Sequence, residues 1–147
     1  MEGIVKAVSI SRKKGTKKEN IKKAEFIKDY GIKEDAHAGK WHRQVSLLGK
    51  ESIDKMIARG PDLKLSYGDF AENITTEGIK LYNLSIGTNI KIGRDVILVV
   101  TQIGKECHHG CEILKQVGKC IMPIEGIFTK VIKSGYVKKG DLIKIDK

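Results

Sequence analysis

Short runs rich in valine and isoleucine recur along the chain, each cut off by glycine. The first, Ile4-Val5-Lys6-Ala7-Val8-Ser9-Ile10, is β-branched and partly alternating, the pattern of a half-buried strand. Strand patterns follow at 24–32, 43–48, 70–76, 89–92, 126–133 and 142–145. Val96-Ile97-Leu98-Val99-Val100-Thr101 is the most continuous apolar run and predicts a buried strand. Sixteen glycines punctuate these segments, with Gly135 and Gly140 expected in turns. Helical periodicity is confined to 50–59, where Ile53, Met56 and Ile57 fall on one face ahead of Gly60-Pro61, and to a short stretch at 111–117 between Gly110 and Gly118. Strands do not alternate with helices, which disfavours a doubly wound parallel sheet. A mainly β barrel or compact sandwich with a few short peripheral helices is expected.

At 147 residues the chain fits one domain, 1–147, with no repeat or linker. No apolar run approaches the roughly 18 residues needed to span a bilayer. The first residues lack the pattern of a secretion signal, so a soluble, cytoplasmic protein is expected, with no membrane partner. The formal net charge of +10 favours an anionic partner. Much of it comes from Arg12, Lys13, Lys14, Lys17, Lys18, Lys22 and Lys23, opposed only by Glu19. That run has no aromatic residue on which a base could stack, so nucleic acid is the less favoured partner. The run is expected to form an exposed loop with no base-specific role.

Cys107, Cys111 and Cys120 fall within fourteen residues, together with His108 and His109. Three readings compete. Cys107 and Cys111 would share a helical face, and with Cys120 and a histidine could hold zinc, although the spacing is not that of paired C-x2-C knuckles. Alternatively, one cysteine is a reactive thiolate. Local physics nominates Cys111, at the start of the short helix, over Cys120, which follows it. The third reading is three buried thiols packed as small apolar groups.

Read end to end, the sequence resembles the MOSC domain family, named for the C-terminal domain of molybdenum cofactor sulfurases. The resemblance rests on Asp35-Ala36-His37-Ala38-Gly39, Arg43-Gln44-Val45-Ser46-Leu47-Leu48, Gly68-Asp69-Phe70-Ala71-Glu72-Asn73-Ile74 and Leu84-Ser85-Ile86-Gly87. It continues in Thr101-Gln102-Ile103-Gly104-Lys105-Glu106-Cys107-His108, Gly118-Lys119-Cys120-Ile121-Met122-Pro123, Glu125-Gly126-Ile127-Phe128 and Gly140-Asp141. One departure is Glu34, where relatives often have glycine before the aspartate.

The resemblance implies a free-standing, bacterial-type member with a β-barrel of the MOSC or pyruvate-kinase-barrel kind. It implies molybdenum cofactor (molybdopterin) as ligand and Cys120 as the functional residue, ligating the metal or carrying sulfur. His37, Arg43, Asn73, Lys105 and His108 are the expected cofactor contacts. Chemistry has alternatives at three of them: a loop histidine at 37, a strand-end charge at 43, and an amide satisfying a turn or the core at 73. Trp41 is expected to cover the barrel mouth. Among MOSC proteins, reduction of N-hydroxylated compounds is the best-matched activity. Implied partners are cofactor-biosynthetic proteins, a sulfur donor, or a separate reductase, since no flavin or iron–sulfur motif is evident. A zinc-stabilised binding module and a basic nucleic-acid-binding protein are the alternatives from other classes.

Overall fold

The computed structural model describes residues 1–14, 16–59, 66–104 and 125–145. Eleven strands form in chain order: β1 (Glu2–Ile10), β2 (Glu19–Ile21), β3 (Lys23–Ile27), β4 (Gly31–Ile32), β5 (Val45–Gly49), β6 (Ile74–Glu77), β7 (Asn89–Ile92), β8 (Val96–Ile103), β9 (Ile127–Lys133), β10 (Gly135–Lys138) and β11 (Leu142–Ile145). One helix, α1 (Lys50–Arg59), and one 3-10 turn (Leu81–Asn83) accompany them among the described residues.

Seven strands close into a barrel in the order β1-β6-β5-β9-β8-β7-β11, the ring completed where Glu2, Gly3 and Ile4 of β1 pair with Lys144, Ile143 and Leu142 of β11. All barrel neighbours are antiparallel except β5 and β6, which pair in parallel from Leu47↔Ile74 to Gly49↔Thr76. A parallel pair needs a crossover connection, and the segment between these two strands carries α1. β1 is long enough to meet β11, β6 and β2 in succession. β3 forms a separate three-stranded sheet with β10 and β4.

The interior follows from side-chain alternation. In β7 and β11 every second residue is buried, placing Ile90, Ile92, Ile143 and Ile145 inside. Val96, Leu98 and Val100 of β8 join them. The small sheet adds Ala24, Phe26, Ile32 and Val137 to the same core cluster, so it packs as part of the barrel's hydrophobic body. α1 buries Ile53 and Met56, the apolar stripe its sequence predicts; the side chain of Ile57 lies outside the described residues.

The barrel expectation holds, with four local corrections. The basic run is not wholly a loop: Glu19–Ile21 pair with β1, and Lys18 is only 3% exposed. The strand expected over 24–32 is a hairpin, β3 and β4, broken by a turn in which Asp29 takes a positive φ of 56°, a conformation aspartate tolerates. Of the strand expected over 70–76 only Ile74 onward pairs, because the residues before it form a turn. Gly135 opens strand β10, and only Gly140 sits in a turn. The expected short helix at 111–117 lies outside the described residues.

Candidate functional site

The loop from Glu34 to Arg43 joins β4 to β5 and carries the family-like motif. Its fold is dictated by Asp35, which is buried. Asp35 Oδ1 accepts from the Ser11 amide at 3.1 Å and from Lys18 Nζ at 2.7 Å, and Oδ2 accepts from the His37 amide at 3.2 Å. Lys18 Nζ also reaches Ser11 Oγ at 3.2 Å and His37 Nδ1 at 3.0 Å. The Lys18 and Asp35 side chains are 0% exposed, so this is a fully desolvated ion pair. Removing one partner of such a pair costs about 3–5 kcal/mol, because the other charge is left buried.

From this anchor the loop builds a layer of rings and cations. His37 and Trp41 stack, their ring centroids 6.3 Å apart and planes 5° from parallel. Trp41 Nε1 donates to the His37 carbonyl at 2.7 Å, which fixes the indole. The Arg43 guanidinium lies between two rings, 4.8 Å from Trp41 and 5.6 Å from Phe128. Its Nε is buried without a hydrogen-bond partner. Lys14 of the basic run places Nζ 5.1 Å from the Trp41 ring. All five residues of this layer, Lys14, His37, Trp41, Arg43 and Phe128, come from outside the cysteine-rich stretch of the sequence. His42 Nε2 meets Gln102 Oε1 at 2.8 Å, Thr101 Oγ1 donates to the His42 carbonyl, and Gln102 Nε2 donates to the Gly104 carbonyl at 2.7 Å. Gly104 N donates to the Gly126 carbonyl at 2.7 Å. The barrel therefore clamps together the two ends from which residues 105–124 depart, and the loop is tied to that clamp.

Of the expected contacts, His37 and Arg43 are brought into one layer through Trp41. Asn73 is elsewhere. Its Oδ1 accepts from the Ser46 amide at 3.0 Å, and its Nδ2 donates to the Ser9 carbonyl at 3.0 Å, so it stitches β5 to β1. Lys105, Cys107, His108, Cys111 and Cys120 lie outside the described residues. Sequence reading missed Lys18 as a partner of Asp35 and His37, since nothing in a lysine run marks one member for burial. It also passed over Glu72, fully buried behind the Gly68–Phe70 turn. Glu72 accepts from Gly68 N at 2.9 Å, Phe70 N at 3.1 Å and Thr75 Oγ1 at 2.9 Å. Burial pushes its carboxyl above the usual carboxylate range despite these donors.

Chemically, the layer suits an anion. Arginine matches phosphate and carboxylate oxygens with directed N–H donors, and a desolvated Nε lacking a partner is a donor still to be satisfied. Among the described residues no group of three or more histidine, cysteine or acidic side chains could hold a metal. No helix among them is long and apolar enough to cross a membrane.

No curated protein matches the sequence. Solved structures do. YuaD from Bacillus subtilis superposes with a TM-score of 0.82 at 19% identity, over 99% of this chain and 96% of that one. YiiM from Geobacillus stearothermophilus gives 0.74 at 15%, over 100% and 76%. YiiM from Escherichia coli gives 0.72 at 16%, over 100% and 70%. At such identities the likeness is one of fold. The MOSC domain profile matches residues 34–144, well over half of the sequence, beginning at the loop that carries Asp35, His37 and Arg43. The chain belongs to the MOSC domain family.

Proposed function

We propose that this protein binds the molybdenum cofactor, with Cys120 ligating the metal or carrying sulfur for it. The observation that carries the reading is Arg43. It is a cation held between Trp41 and Phe128, its Nε buried and unpartnered, beside the barrel end from which the Cys120-bearing stretch departs. The cofactor carries a phosphate, and these residues fit that group: Arg43 supplies charge and directed donors, and Trp41 shields them from water. Cys120 fits the metal, since a soft thiolate suits a centre already bound by sulfur. As a sulfur carrier, it would need the thiolate character that holds a persulfide. When bound, the cofactor supplies a redox-active molybdenum centre. Reduction of N-hydroxylated compounds is the activity class proposed, with electrons from a separate reductase. Sulfur, if carried, comes from a donor protein.

The test is metal and pterin analysis of protein purified from cells with intact cofactor synthesis. Molybdenum with pterin is expected in the wild type. Cys120→Ser should lose molybdenum or persulfide, because a hard oxygen replaces a soft sulfur, while Cys107→Ser and Cys111→Ser retain much of it. Arg43→Ala should lower pterin content with the circular dichroism spectrum unchanged. Zinc in place of molybdenum, or loss confined to Cys111→Ser, would defeat the reading.

A further inference from the structure

Strand β5 begins at Val45, which pairs with Thr129 of β9. In that antiparallel register the next partner, for Val131, would be residue 43, where no strand runs. The Gln44 side chain takes over. Its Oε1 accepts from the Val131 amide at 3.0 Å, and the Val131 carbonyl accepts from the Asp29 amide at 3.0 Å. A backbone N–H can only donate, so the atom facing Val131 is the amide oxygen and the other end of Gln44 is the NH2 group. That Nε2 is buried and has no hydrogen-bond partner. Gly31 backs the residue closely: a Cβ there would lie 3.1 Å from the Gln44 carbonyl oxygen and 3.3 Å from its Cβ. A desolvated donor without an acceptor is unfavourable, and folded proteins keep few of them.

Gln44 lines a cleft of about 470 Å³ together with Asp29, Lys40, Trp41, His42 and Lys130. Clefts of this size hold small molecules. Val131 belongs to the core, so alternation turns the half-buried Lys130 to the outer face of β9. We propose that this cleft is a second anion site, taking a planar carboxylate on a small flat molecule, with one carboxylate oxygen accepting from Gln44 Nε2 and Lys130 and Lys40 supplying the positive charge. Trp41 gives an apolar wall for the body of such a ligand. Carboxylate is favoured over phosphate because Asp29 shares the wall and opposes a dianion more than a monoanion. The directed donor is also a single planar amide and not the fork that arginine offers phosphate. Because Nε2 is buried, an entering oxygen has to press aside part of the wall. The Lys40 side chain, exposed and with no hydrogen bond or ion pair among the described residues, can move. The site is distinct from Arg43, whose guanidinium lies between Trp41 and Phe128, and the proposal stands without the cofactor reading.

The experiment is proton–nitrogen NMR on the full chain labelled with 15N-glutamine, titrated with benzoate, its neutral analogue benzamide, and inorganic phosphate. The sequence has three glutamines, and Gln44→Met identifies the Gln44 side-chain signals by their loss. If that variant does not fold, Gln102→Met and Gln116→Met assign them by elimination. Benzoate should shift the Gln44 NH2 signals saturably, with a Kd of about 1 mM. Benzamide and phosphate should bind about ten-fold more weakly or not at all, and Lys130→Met should weaken benzoate by about ten-fold. Lys133→Met, on the same strand but outside the cleft, should bind as the wild type does. Arg43→Ala should still bind benzoate; loss there would assign the anion to Arg43 and overturn the proposal. It is equally overturned if benzoate leaves the Gln44 signals unmoved, if benzamide or phosphate binds as well, or if Lys130→Met makes no difference. Absence of pterin from the wild type would sink the cofactor reading and leave this titration just as decisive.

Discussion

Glu34 occupies a left-handed backbone conformation, with φ at 71°. For a residue with a side chain this costs on the order of 1–2 kcal/mol, a strain that glycine escapes. Its partner Arg12 lies 3.8 Å away in a pair more than half exposed on both sides, which contributes little. Glu34→Gly should therefore leave stability unchanged or raise it by up to about 1 kcal/mol, after the extra freedom glycine gains in the unfolded chain. Thermal midpoints should rise by about 2–4 °C at most, and a fall of that size would contradict the strain. The turn toward His37 is thus kept despite the absence of glycine. Glu72 makes a second prediction. Because burial raises its pKa above 4.5, the folded protein keeps a proton that the unfolded chain has lost. Stability is then highest below that unfolded value and declines as pH rises from it through the folded one. Glu72→Gln should remove this decline, whatever constant offset the lost hydrogen bonds add. Urea midpoints measured across the acidic range should show it, and parallel profiles for the two proteins would refute it. Neither residue announced its conformation in sequence. Glu34 was visible as a departure from a motif, but its φ was not, and Glu72 read as one acid in a strand.

The turn of residues 66–72 and the basic segment are fastened at one point. A Cβ at Gly68 would lie 2.2 Å from the Lys18 carbonyl oxygen, and φ there is 98°. Gly68→Ala should cost about 2–4 kcal/mol, combining backbone strain with a collision against rigid main chain. Gly140→Ala separates the two causes. It has a similar φ of 93° but nothing within 4 Å of the added atom, so only the strain of about 1–2 kcal/mol should appear. Equal losses in chemical denaturation would mean that the contact with Lys18 does not matter. Elements whose signal is local were legible. α1 matches its predicted span of 50–59, and β7 and β11 match 89–92 and 142–145. β10 was not, because Gly135, Lys138, Lys139 and Gly140 read as a turn. Its strand character comes from pairing Tyr136 and Val137 with Glu25 and Ala24, more than a hundred residues earlier. β2 is the same case, three residues made a strand by the far end of β1.

Closure of the barrel joins the first strand to the last, and no periodicity within either segment encodes that meeting. Resemblance supplied the barrel; alternation alone would equally have allowed a sandwich. The candidate site has the same origin, since Asp35, Lys18 and Phe128 converge only once the ring is shut. Coupling between them is testable because Trp41 is the sole tryptophan. Its ring touches Arg43, which touches Phe128 on β9, so the loop should unfold with the barrel. Tryptophan emission and far-ultraviolet circular dichroism should give one superimposable denaturation curve. An earlier emission change would show that the loop opens on its own. The clamp at Gly104 and Gly126 carries a last consequence. Both ends of the described barrel that flank residues 105–124 meet in one backbone pair, so a change of length in that stretch would enter and leave the sheet at neighbouring points, where a lineage could lengthen or shorten it without moving β8 away from β9.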